Sequence, residues 1–413
     1  MKRIFILGIL SITSLKAIAI ESDSLIKTTV GGQGRLRFER SERTDYLSER
    51  SGFLLRVRPE VRLSKGSELS LFIQPQFSKA FGKPEFPGTS ATTNAGQPTS
   101  GTTFDSSLGI HQATIEYRPV DSFQFIFGRQ LLSYGDEVVL SGLDWDNVGR
   151  SFDALRARYS HGSGSVDFFY SKLFASKVTA TVQGAGDGDL LGLYSSNNFG
   201  SGLSATDLYL LYRQDQTTGS NRELFALGAR VKDRLGAFDY RAEATKEAGS
   251  QFTDAGSAYQ IDLEAGWNFD APFKSRIGLE VFQAGSTYDQ LYPLAHKYLG
   301  IADIFGRRNI QGGVLHLTAV PTEGFTAQFD FHYLMRTSTS APAYKLNGTT
   351  ALGTGTHTSS AIGSELDLIL SYAISKEITA TLGGGVLLPG DYLKAELGDF
   401  NPTFWYAQWV AQL

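Results

Sequence analysis

Residues 54–64 read LLRVRPEVRLS. Arg56, Arg58 and Arg62, with Glu60, fall on one parity, and Leu55, Val57, Pro59, Val61 and Leu63 fall on the other. On a strand, residues two apart stand on the same face. Three guanidinium groups aligned in this way can each present a donor fork to a carboxylate. The chemistry this suggests is reversible anion recognition along a surface. The same parity recurs in neighbouring segments: Arg35 and Arg37 in RLRFER, Arg118 in QATIEYR, Arg156 and Arg158 in RARY. Acidic residues of equivalent parity come later, at Asp239, Glu243, Asp262, Glu264, Glu280, Asp330, Glu365 and Asp367. Early and late strands occupy different arcs of one wall, so a cationic side and an acidic side are expected. A plainer reading is that the arginines pair with Glu39, Glu60 and Glu116 and stiffen the wall.

Bond-making chemistry has little support. No GxSxG, HExxH or Walker-type loop is present. GGQGRL (31–36) leads into a strand pattern, not a helix, so it is a poor phosphate cradle. GAGDGD (184–189) reads as a flexible turn more readily than as a calcium loop. The six histidines lack ligand spacing, and with no cysteine there is neither a disulfide framework nor a thiolate metal site. We therefore expect no enzyme, no cofactor and no metal. The net charge of −4 argues against nucleic acid as a partner.

The elements that must carry the arginines alternate throughout. FDYRAEAT (238–245), YQIDLEAGWNF (259–269), FTAQFDFHY (325–333) and SELDLILSY (364–372) each set apolar residues against polar ones with a period of two. The connections alternate as well. Short ones such as SKGS, PVDS, HGSG and ISKE are followed by long ones near 80–108, 131–151, 286–311, 337–361 and 388–401. Strands of about ten residues, tight turns at one end and long loops at the other mark a transmembrane antiparallel β-barrel. Hydrocarbon cannot satisfy backbone polar groups, so such a sheet must close on itself. About 18 strand segments are expected, with 176–203 the hardest to divide. That number leaves an aqueous channel rather than a filled interior. Pro59 and Pro75 lie inside strands and predict bulges or local breaks in pairing.

Residues 1–19 have a basic start at Lys2 and Arg3, an apolar run and an Ala17-Ile18-Ala19 cleavage site, which predicts a signal peptide. The expected organisation is thus 1–19 as signal peptide and 20–413 as one all-β barrel domain in the bacterial outer membrane. Residues 86–107 are low-complexity polar sequence and are expected to be mobile.

The densest segment is 128–159, which joins two strands through a loop rich in Asp136, Glu137, Asp144, Trp145, Asp146, Asn147, Arg150 and Asp153. Its pattern GRQ…YGDE…DW.N.GR.FDA.R resembles the core motif of the alginate-export family of outer-membrane barrels. HKYLGIADIFGRRN (296–309), 315–334 and 364–394 resemble later segments of that family. The resemblance implies a monomeric 18-stranded barrel with an arginine-rich constriction that passes polyuronate. It carries Arg129, Asp136, Asp144, Trp145, Asn147, Gly149, Arg150, Phe152, Asp153 and Arg156 into the loop and constriction.

Together these readings predict a passive channel for an anionic saccharide or small carboxylate. The alternative is a general or differently selective porin. Membrane lipid is an expected contact, with periplasmic export or uptake proteins as further partners.

Overall fold

The computed structural model describes residues 19–20, 26–42, 50–83, 107–173, 187–217, 220–252, 254–270 and 273–413. Alternating residues form the wall strands β1 (Lys27–Glu42), β2 (Arg50–Lys65), β3 (Leu69–Lys83), β4 (Ser107–Val120), β5 (Phe123–Gln130) and β6 (Phe152–His161). Next come β7 (Gly164–Leu173), β8 (Asp187–Asn197), β9 (Ala205–Thr217), β10 (Ser220–Leu235), β11 (Phe238–Ala248) and β12 (Tyr259–Asn268). The wall ends with β13 (Arg276–Ala284), β14 (Ile310–Thr322), β15 (Phe325–Met335), β16 (Ala361–Ala373), β17 (Ile378–Pro389) and β18 (Thr403–Gln412). Each pairs antiparallel with its sequence neighbour, and β18 pairs with β1 from Gln33↔Gln412 to Glu42↔Thr403. The sheet therefore closes as an 18-strand antiparallel barrel. A two-residue strand, Ala19–Ile20, adds against Thr28 and Thr29. Residues 1–18 of the expected signal peptide, residues 86–106 of the low-complexity segment and residues 176–186 of the hard-to-divide region lie outside the described residues.

The outward parity is apolar and open. Phe127 is 64 % exposed, Leu279 59 % and Trp267 52 %, as lipid-facing residues of a barrel must be. The prolines behave as expected. The β3–β4 register shifts between Gln74 and Pro75, and the β2–β3 ladder skips from Val57↔Phe77 to Val61↔Ile73.

The interior departs from a plain aqueous channel. The long loops 131–151 and 285–309 fold inward and carry apolar side chains with them. Leu132, Val138, Leu140, Tyr288, Tyr292, Leu299 and Phe305 pack against inward-facing Phe169, Leu190, Tyr209, Leu224 and Phe282. Part of the lumen is thus filled. Glycine makes room for these rings: a side chain at Gly192 would collide with Phe169, and one at Gly228 with Tyr209. At the long-loop end, Arg336 donates to the carbonyls of Thr339, Ala341, Gly355, His357 and Ser359 and lies over Tyr392. Tyr392 sits on the short helix α1 (Asp391–Leu397).

Candidate functional site

The 131–151 loop crosses the lumen. At one end, Asp136 accepts from Arg230 Nε at 2.8 Å and from Lys232 Nζ at 2.9 Å, both on β10. Asp144 meets β1 and β2, which lie half the circumference away. Arg35 donates to the Asp144 and Asp146 carbonyls, each at 2.8 Å. Arg56 Nη1 reaches the same two carbonyls at 2.9 and 3.0 Å, and its Nη2 meets the Asp144 carboxylate at 3.0 Å. Arg58 contacts Asp144 Oδ1 at 2.5 Å and the Val148 carbonyl at 2.9 Å. Arg37 donates to the Trp145 carbonyl at 2.9 Å, and its Nε lies 2.7 Å from Glu39.

The strand parity seen in the sequence therefore does point these four arginines inward, but not as a bare ladder. They are 1–4 % exposed, and their donors hold loop carbonyls. Gly149 permits this, since it has a φ of 78° and a side chain there would sit 2.7 Å from Arg58 Nη2. Neighbouring protein pushes the Asp144 carboxyl up, but Arg56, Arg58 and Arg35 outweigh that and hold it at about 2. Asp144 thus stays ionised, and its side chain remains 63 % exposed to the lumen. At Asp146 the balance reverses: burial, reinforced by Asp303, outweighs Arg37, Arg150 and Arg35 and raises it to about 6.

The remaining candidates divide into three groups. Arg158 binds Asp167 at 2.6 and 2.7 Å, Arg156 lies 3.9 Å from the same carboxylate, and Tyr134 of the loop donates to it at 2.8 Å. Arg150 holds the Ser141 and Tyr292 carbonyls at 3.1 and 2.7 Å. These residues anchor the loop. Arg62 pairs with Glu116 at 2.9 Å below the crossing, and Arg118 is exposed beside a short turn; neither reaches the constriction. Arg129 and Asp153 correct the expectation outright. They form a forked pair at 2.8 Å on the parity of Phe127 and Leu155, which is the outer face of the wall.

The late acids are not a bare acidic side either. Arg241 contacts Asp262 at 2.8 Å and Glu280 at 3.2 Å. Arg276 binds Asp239 and Glu264, and Arg307 binds Asp262 at 2.7 Å. His316 lies 2.8 Å from Asp330, and His332 lies 3.1 Å from Asp367. Sequence reasoning missed these partners, although Arg307 lies in the quoted 296–309 segment.

That segment belongs to the second inward loop, which pairs with the first. The Ser141 N–H donates to the Tyr292 carbonyl at 2.8 Å, Tyr292 to Val139 at 2.9 Å, and Leu294 to Glu137 at 2.9 Å. The loop is tied to the wall where Ala302 and Ile301 donate to Glu365 and Asp367 at 2.8 and 3.2 Å. Two chambers flank the crossing. The one towards the long loops includes Arg150, Arg213, Asp289 and Tyr292, and the one beneath includes Arg35, Asp144, Lys297 and Asp330.

Comparison with known proteins agrees with this architecture. The family described as Alginate export matches residues 27–406. No curated protein sequence matches the chain. Among solved structures, Acinetobacter baumannii OccAB1 is similar at a TM-score of 0.62 and 11 % identity, covering 96 % of this chain and 100 % of that one. Pseudomonas aeruginosa OccK5 (OpdH) gives 0.61 at 9 % identity, covering 94 % and 98 %. Pseudomonas aeruginosa OccK2 (OpdF), solved in complex with glucuronate, gives 0.57 at 10 % identity, covering 94 % and 98 %. At such identities the likeness concerns the fold.

Proposed function

The chain belongs to the alginate export family of bacterial outer-membrane barrels, and from that premise we propose that it passively conducts small anionic saccharides or carboxylates. That it is an outer-membrane channel for small solutes follows from family and fold. The anionic cargo is the further step, and one observation carries it: Arg35, Arg37, Arg56 and Arg58 stand together at the crossing, faced among the described residues by two carboxylates within ion-pair distance, Glu39 and Asp144. Cationic rings favour anions, and the narrowest charged segment dominates because bulk charge is screened over about 8 Å at physiological salt. The net negative charge of the chain is then secondary.

Direction is set by the gradient. A uronate approaching Asp144 meets guanidinium groups held in place by loop carbonyls, so its carboxylate is attracted without a deep trap. Two loops bonded to each other across the lumen favour a monomeric or short uronate over a long polymer. The glucuronate found with OccK2 is of that chemical class. The test is flux into liposomes carrying the purified barrel. Glucuronate should enter several times faster than glucose, which is of similar size, and equal rates would favour the general porin.

A further inference from the structure

Trp145 and His296 line both chambers, and among the described residues no other is shared between the two linings. Their rings are stacked, with centroids 3.5 Å apart and planes 9° apart. Arg37 covers the opposite face of the indole, 3.9 Å from its centre, because both partners could not occupy one face at those distances. The stack is clasped from the side by Asp303. One carboxylate oxygen accepts from Trp145 Nε1 at 3.0 Å, and the other lies 2.9 Å from His296 Nδ1. Asp303 itself adopts a φ of 55°, a left-handed conformation uncommon outside glycine and retained only where the surroundings hold it. The edge of Tyr406, from β18, lies against the indole with centroids 5.0 Å apart.

We propose that the Trp145–His296 stack is the size-limiting element of the channel, the barrier that decides the largest solute able to move between the two chambers. This rests on the chain being a conducting channel, but not on the sign of its charge preference. The assignment follows from how the stack is built. Trp145 comes from the 131–151 loop, His296 and Asp303 from the 285–309 loop, and Arg37 from the wall. Three separate elements thus meet at one sandwich, bonded on both faces and along one edge. A side chain fixed in that way resists displacement by a passing solute, whereas a side chain merely projecting into water yields to one. With both indole faces covered, Trp145 also offers no free platform for a sugar ring. Its role is to occupy space. The charged groups that attract an anion and the rings that limit its size are therefore different residues.

The experiment compares wild type, Trp145→Ala and His296→Ala in liposome-swelling assays with uncharged saccharides of one to five units. Heat-modifiable gel migration establishes that each barrel is folded. Reversal potential is read on the same preparations. Both variants should admit saccharides at least one unit larger than wild type does, with the sign of the ion preference unchanged. If Trp145→Ala does not fold, His296→Ala alone decides, since it opens one face of the stack and leaves the indole in place. Wild type that excludes every saccharide while the variants admit some would also support the assignment. Folded variants with the wild-type limit, or excluding every saccharide as wild type does, would overturn it. A wrong sign of ion preference with a raised size limit would refute the proposed cargo and leave the size-limiting role standing.

Discussion

Asp144 is the residue on which the electrostatics turn. It is the carboxylate shared by Arg56 and Arg58, and it is ionised at any physiological pH because those arginines hold it at about 2. Asp144→Asn removes one negative charge from the crossing while keeping the loop carbonyls that the arginines also use. The variant should shift the reversal potential towards stronger anion preference, and no shift would mean that current avoids this point. A second carboxylate makes a pH prediction. The backbone N–H of Thr354, at 2.6 Å, contributes most to holding Glu396 at about 2, below its ordinary 4.5. A depressed carboxylate stabilises the folded loop above its unfolded pKa, and that contribution disappears as pH falls through the folded value. Hydrogen exchange, corrected for intrinsic rates, should show residues 353–357 loosening as pH drops from 4.5 towards 2, and Glu396→Gln should loosen them already at neutral pH. These roles were only partly legible. Period-two alternation correctly places Arg35, Arg37, Arg56 and Arg58 inward, but a guanidinium that binds a backbone carbonyl leaves no mark on the partner's residue type. The choice between a ladder for cargo and a brace for the wall could not be made from types alone. The contacts show bracing of both wall and loop: Arg37 pairs with Glu39 and Arg62 with Glu116, while Arg35, Arg56 and Arg58 brace a loop and Glu60 accepts from Gln74 instead.

At the scale of elements, the 131–151 loop is a beam tied at β10 through Asp136 and at β1–β2 through Asp144. Arginine suits the second joint because its rigid planar fork aims several N–H donors at carbonyls and a carboxylate in fixed directions, whereas a lysine ammonium is a point charge on a flexible stem. An Arg56→Lys/Arg58→Lys variant should keep the charge and the anion preference yet loosen the beam, seen as faster protease cleavage within 131–151. Equal cleavage rates would show that these bonds do not hold the loop. The outer face makes the complementary prediction. Breaking the Arg129–Asp153 pair with Arg129→Leu strands a carboxylate near the end of the lipid-facing band, where an unpaired charge costs about 1 kcal/mol or less. Chemical unfolding in bilayers should register that loss, and Arg129→Leu/Asp153→Leu should restore it. Here the resemblance to a family motif misled and the parity did not: Arg129 follows Phe123, Phe125 and Phe127 on one face. The eighteen strands were legible because alternation needs only a lipid side and a water side. The inward course of the two loops was not, because their pairing through Val139, Ser141 and Tyr292 is backbone to backbone and has no periodicity.

The whole molecule is a closed wall whose lumen is divided by two mutually bonded loops. Charge is distributed unevenly around it. On the β11–β15 arc Arg241, Arg276, Arg307 and His316 contact Asp239, Asp262, Glu264, Glu280 and Asp330, which partly offsets the acids there. On the β1–β2 arc four arginines exceed the carboxylates they contact. Both sides of the transverse field expected from the sequence are therefore present, the acidic one partly offset by its own arginines. The central claim is that the β1–β2 arc selects the cargo, and the most direct test is the reversal potential of single channels in planar bilayers under a salt gradient. Wild type should prefer anions, and Arg56→Ala/Arg58→Ala should lose most of that preference while remaining folded. Cation preference in wild type, or a preference unchanged in the variant, would contradict the account.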